Sequence, residues 1–204
     1  MTKYIALVFL VFSACQINPD ASNDTYILKV QKDREEQTMF FKTNHESPIP
    51  PEDRKSFISL NYFPVNKDLA VNAILVPYSM PTEVSLTESD GRPVDFQKIG
   101  ELRFKIKKDS FKLTVMQSKD LLDRGYDAHL FIPFYDETSG KESYAGGRYI
   151  ENLELNDSNK YILDFNYAQN PSCAYSHNWV CPVPPPENRL PIRIEAGEKK
   201  YAKD

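Results

Sequence analysis

After Leu60 the chain changes to a period of two. Val84 and Leu86 alternate with polar residues, Ser89-Asp90-Gly91 intervenes, and Val94 and Phe96 alternate again. An Asp-Gly pair between alternating runs predicts a β-hairpin. Leu102, Phe104 and Ile106 follow, then a turn at Lys108-Asp109, then Phe111, Leu113 and Val115; Leu130, Ile132 and Phe134 repeat the pattern, as do Tyr161, Leu163 and Phe165. Each run has one apolar and one polar face, which antiparallel strands need when one side of the sheet is solvated. The fold class is therefore mainly β, an antiparallel meander forming a sandwich or a partly closed barrel. Ahead of it, Asn23 or Asp24 caps an expected helix that runs to about Lys42, with Ile27, Val30 and Phe41 as its apolar contacts. Ser47-Pro48-Ile49-Pro50-Pro51 ends the helix, and Glu52 to Phe57 has room for one or two helical turns. Asn170 to Pro191 is rich in proline, which has no N–H for a ladder, so an extended, ordered loop is expected there. A last short strand is expected at Ile192 to Glu195.

The N-terminus carries an address. Lys3 precedes an uncharged, largely apolar run from Tyr4 to Ala14, too short to span a bilayer but suited to a signal-peptide core. Phe12-Ser13-Ala14-Cys15 resembles the bacterial lipobox. The resemblance implies cleavage before Cys15 and lipid on that cysteine, with the membrane as partner through the acyl chains. Gln16, rather than Asp, follows Cys15, a pattern similar to that of lipoproteins sent to the outer membrane. The expected organisation is a signal peptide over 1–14, a tether over 15–23, a helical segment over 24–60 and a β domain over 61–204.

Charge narrows the partners. The net charge of −4, with no basic cluster, argues against nucleic acid. The chain has no G-x-S-x-G elbow, no H-E-x-x-H, no Walker A and no G-x-G-x-x-G, so no cofactor and no standard catalytic template are expected. His45, His129 and His177 have no Ser or Cys beside them in a recognisable triad arrangement.

Polar constellations remain. Cys173 and Cys181 read as a disulfide, with buried free thiols and a Cys173-His177-Cys181 metal site as the other readings. Glu187-Asn188-Arg189, pinned between prolines, either contributes to a binding site or ties its loop to the sheet. Asp136, Glu142 and Arg148 form a second group, with Gly146-Gly147 allowing close backbone approach before the arginine. An arginine fork binds a carboxylate or phosphate through two parallel hydrogen bonds, so Arg148 is either an anion binder or a structural partner of Asp136 or Glu142. Because both segments flank the Tyr161–Phe165 strand, Arg148 is expected beside an acidic or amide side chain of the Asn166–Glu187 stretch. The leading reading is a ligand-binding or structural module of the cell envelope, its small-molecule or protein partner unnamed. The other is a small hydrolase-like enzyme using Asp136, Glu142, Arg148, Asn166 and Glu187.

Three stretches resemble a bacterial family known as domain of unknown function 1684: SPIPPEDRKSFISLNYFP (47–64), PFYDETSGKESYAGGRYI (133–150) and LDFNYAQNPSCAYSHNWVCPVPPPENRLPIRIEAGE (163–198). Ala145 stands where the usual pattern has a third glycine. The resemblance implies a shared fold unit and leaves the activity open.

Overall fold

The structure, a computed structural model, describes residues 19–201. Cys15 lies outside them. Helix α1 (Pro19–Thr43) leads into turns and then six strands: β1 (Ala70–Thr87), β2 (Pro93–Ile106), β3 (Asp109–Ser118), β4 (His129–Phe134), β5 (Arg148–Glu154) and β6 (Lys160–Asp164), with a short helix α2 (Lys119–Asp123) between β3 and β4. All pairings are antiparallel, in the order β5-β4-β3-β2-β1-β6.

That order forces curvature. β5 and β6 are opposite edges of the sheet, yet only residues 155–159 join them. Such a link reaches at most about 20 Å, whereas the edges of a flat six-stranded sheet lie about 24 Å apart. The sheet therefore curls until its edges approach, giving a nearly closed barrel rather than a sandwich. Its interior is one apolar cluster fed by every strand, including Leu75, Leu102, Leu113, Leu130, Ile150 and Leu163. β4 is buried on both faces, because Phe131 points the other way into a second cluster with Phe96, Met116, Tyr149 and Cys181.

The alternating runs form the expected hairpins. Val84 pairs with Phe96 and Leu86 with Val94, across a turn in which Gly91 has φ +89°. Strand β1 begins fourteen residues before Val84, in a stretch whose Pro77 and Pro81 argue against a strand. Its ladder jumps from Pro77–Gly100 to Thr82–Lys98, so Pro81 falls in a bulge where no ladder N–H is required.

Three expectations are corrected. Helix α1 starts at Pro19, inside the expected tether, since proline is well tolerated in a first helical turn. Residues 51–56 form turns, although Arg54 and Phe57 donate back to the carbonyls of Pro50 and Asp53 at 3.2 and 3.1 Å. Ile192 to Glu195 is not a strand: the Ile194 N–H donates to the Asp136 carboxylate at 2.7 Å instead of to a ladder. Ala145 needs no glycine, because its φ is not positive. No helix among the described residues is long and apolar enough to cross a membrane.

Candidate functional site

Of the residues expected to form a site, the structure brings Asp136 and Arg148 together and leaves Glu142, Asn166 and Glu187 elsewhere, each with partners of its own. Arg148 is completely enclosed. Its guanidinium donates to the carbonyls of Ile194 (2.9 Å), Glu198 (3.1 Å) and Ala196, and to the Asp136 carboxylate (3.3 Å). These partners come from Asp136 and the C-terminal segment, not from the Asn166–Glu187 stretch. Asp136 also accepts from Thr138, Ser139 and the Ile194 N–H. Arg148 and Asp136 thus staple the C-terminal segment to the barrel.

Asn188 is also structural. β3 and β4 share one register pair, Met116–Phe131. The buried Asn188 amide enters the gap beside it: Oδ1 accepts the Thr114 N–H at 2.7 Å, while Nδ2 donates to the carbonyls of Thr114 (2.9 Å) and Pro133 (2.8 Å). It replaces the peptide group that a regular ladder would supply. Glu187 pairs with Lys98, Arg189 stacks 4.4 Å over the Tyr135 ring, and Glu142 pairs with Arg193 at the surface. These residues do not converge, so the carboxylate–arginine hydrolase site is not assembled.

The expected disulfide is not formed. Cys173 and Cys181 are free thiols. They are neighbours nonetheless, with the Cys181 sulfur accepting the Cys173 N–H at 3.1 Å. Among the described residues no cluster of His, Cys, Asp or Glu is placed to hold a metal ion.

What does converge is a cleft of about 440 Å³ between α1 and the turn that follows β6. α1 builds its roof. A helix normally buries an apolar stripe, but the inward face of α1 carries Tyr26, Asp33, Arg34 and Gln37, and from residue 23 onward only Val30 and Phe41 on it are buried apolar residues. Polar bonds hold that face down: the Tyr26 hydroxyl donates to Asp164 at 2.7 Å, and the Tyr167 hydroxyl to Asp33 at 2.5 Å. Asn166, one of the expected site residues, does line this cleft. Its amide bridges the Tyr26 hydroxyl, the Asn66 backbone and Asp164.

Of the four charged residues that line the cleft, Asp33, Arg34, Glu36 and Glu198, only Arg34 and Glu198 have buried atoms without a well-formed hydrogen bond. Arg34 donates to the carbonyls of Phe63 (2.9 Å) and Asn166 (3.2 Å), and lies 4.4 Å over the Tyr62 ring. Its Nε is buried and has no partner. Burial lowers its pKa, since no carboxylate is hydrogen-bonded to it among the described residues. Glu198, about 1 % exposed, forms the floor. Its Oε2 accepts the Asn170 N–H at 2.8 Å and the Tyr175 hydroxyl. Its Oε1 makes no hydrogen bond of good geometry, although the Tyr62 hydroxyl is near enough to favour the charged form. Burial outweighs these donors and Arg148, pushing the carboxyl up to about 7. Gln169 completes the wall, and its amide donates to Glu151 at 2.8 Å. Gly197 places the floor: at φ +74° it lets the chain pass so close to the 165–168 turn that a Cβ would stand 2.7 Å from the Phe165 carbonyl.

A wider groove of about 940 Å³ runs beside β1, β2 and β3, past Ile74, Phe104 and Lys112. It brings together no buried, unpartnered polar groups. Unmatched buried polar atoms with displaced pKa mark the α1 cleft as the better candidate.

Fold and site together define a nearly closed antiparallel barrel whose helix α1 roofs a polar cleft. The chain belongs to the family described as "Protein of unknown function (DUF1684)", whose model matches residues 55–199. A solved structure of an uncharacterized protein from Haloarcula marismortui, determined by solution NMR, is 35% identical, with a TM-score of 0.64 over 88% of this chain and 97% of that one. No curated protein matches the chain. Tyr62, Asn166, Gln169 and Glu198 fall inside the family match, and Arg34 precedes it.

The sequence reading missed Arg34 and Glu198. Glu198 closes the longest family-like stretch, so a signal existed. Arg34 gave none, because a polar stripe on a helix reads as a solvated face.

Proposed function

We propose that this protein is a lipid-anchored binding module of the bacterial cell envelope that holds a small anionic ligand, a carboxylate or a phosphate, beneath α1. One observation carries the binding reading: Arg34 Nε is buried at the cleft with no hydrogen-bond partner, and Glu198 Oε1, in the same lining, has only the poorly aligned Tyr62 hydroxyl near it. An unused buried donor on a cation is costly unless something occupies it part of the time. A carboxylate or phosphate oxygen satisfies Arg34. Glu198 then sets the pH range. Below about 7 it carries a proton and donates to the anion; above that it is charged and repels it.

A thermal-shift series with acetate, succinate, inorganic phosphate and glycerol phosphate tests this. At least one of these anions should raise Tm more at pH 6 than at pH 8, because ligand that binds only the folded state stabilises it. Arg34→Gln should remove the gain at both pH values. Equal shifts in Arg34→Gln and wild type would refute the reading.

The address rests on Cys15 and the small residues before it. Two or more acyl chains hold a protein on a bilayer with negligible release, and Gln16 favours the outer membrane as destination. Cys15→Ala should lose all palmitate label and appear in the soluble fraction. Label retained in that variant would overturn the anchored form while leaving the binding test intact.

A further inference from the structure

We propose that Cys173 and Cys181 form a thiol–disulfide exchange site, in which Cys173 attacks a disulfide presented at the cleft above it and Cys181 resolves the product from beneath. The two thiols differ in access. Cys173 is half-buried in a short turn (Ser172–Ala174) and lines a cleft of about 430 Å³ with Glu52, Asp53, His177 and Asn178. Cys181 is buried against Phe131 and Tyr149. Such an arrangement, an accessible sulfur over an enclosed one, gives attack and resolution to different residues.

The surroundings favour charge on the outer sulfur. The Cys181 thiol, the Tyr144 hydroxyl at 3.8 Å and the Ser89 hydroxyl gather around Cys173. The closeness of the Cys181 thiol is the chief cause of a lowered Cys173 pKa, and the same closeness raises that of Cys181. A thiolate, not a thiol, is the attacking species. Ser89 also ties the pair to the β1–β2 turn, accepting the Cys181 N–H at 3.3 Å while its own N–H donates to the Cys181 carbonyl at 2.9 Å.

The exchange balances as follows. The Cys173 thiolate attacks one sulfur of an external disulfide RSSR, forming Cys173–S–S–R and releasing RS⁻, which takes a proton from solvent. Cys181, losing its proton to solvent, attacks the Cys173 sulfur and expels the second RS⁻. The protein dithiol is oxidised to an internal disulfide, and the external disulfide is reduced to two thiols. The intervening segment carries Trp179, the protein's only tryptophan, 43 % exposed. Its fluorescence therefore reports closure of the loop.

Full-length reduced protein exposed to oxidised glutathione provides the test. In wild type, Trp179 fluorescence should change as an internal disulfide forms and return when excess reduced glutathione is added. Cys181→Ser should stop at the first step and retain glutathione on Cys173, found by peptide mass. Cys173→Ser should retain none. If Cys181→Ser does not fold, alkylation of the reduced wild type at pH 7 serves instead, and Cys173 should be labelled about tenfold faster than Cys181. Equal labelling of the two thiols, no mixed disulfide in a folded Cys181→Ser, or a wild-type disulfide that reduced glutathione cannot open would each overturn the proposal. The last result would make the bond a fixed staple. None of these outcomes bears on the α1 cleft.

Discussion

Arg148→Ala is expected to lower the unfolding free energy by about 3–5 kcal/mol, and with it Tm by about 10 °C. The cause is not the loss of one ion pair. The substitution leaves Asp136 buried without its cation and leaves the Ile194, Ala196 and Glu198 carbonyls without their shared donor. Leaving a buried charge unmatched is more destabilising than a missing surface pair by several-fold. Arg148→Lys should recover only part of the loss, because an ammonium cannot reach three carbonyls and a carboxylate from one planar fork. Urea unfolding of the three proteins measures this directly. A change below about 1 kcal/mol for Arg148→Ala would mean that the C-terminal segment is held by its apolar contacts, Ile194 and Ala196, alone.

The second large effect depends on pH. The Glu198 carboxyl is raised from its ordinary value to about 7, chiefly by burial. The folded protein therefore keeps a proton that the unfolded chain gives up near pH 4.5. This contribution to stability is complete below about pH 4.5 and is lost as pH rises through about 7. Glu198→Gln carries no charge to desolvate, while its amide oxygen can still accept from Asn170 and Tyr175. The variant should match wild type within about 1 kcal/mol at pH 5 and exceed it by about 3 kcal/mol at pH 8. If Glu198→Gln is instead the less stable protein at pH 8, the carboxylate is held charged by Arg148 and Tyr62, and the cleft has no titrating floor. A native side chain that weakens the fold at neutral pH is a common mark of a functional site.

The β scaffold was legible because its signals are local. Asp90-Gly91 fixes one hairpin, and the alternation of Leu102–Ile106 with Phe111–Val115 fixes the next. Barrel closure is not local. It follows from β6 returning to pair with β1, for example Val71 with Leu163, and no alternating run announces that partner. The proline-rich loop was recognised, but Asn188 took its meaning from a gap between β3 and β4 that exists only in three dimensions. Arg148 was readable as a carboxylate partner, and Asp136 is its partner. The three carbonyls that complete its shell have no side-chain identity, so no sequence pattern could point to them. The disulfide expectation came from counting cysteines in a chain whose first residues read as an export signal. The pair is adjacent, but its bond is not formed.

Native mass spectrometry of the protein purified from its own cells tests most directly whether Arg34 and Glu198 hold an anion beneath α1. Wild type should carry an additional small mass that fragments to a carboxylate or phosphate and is released more readily at pH 8 than at pH 6. Arg34→Gln, prepared in parallel and folded to the same Tm, should carry none. An anion retained equally by Arg34→Gln, or a neutral or cationic ligand lost on that substitution, would contradict the account.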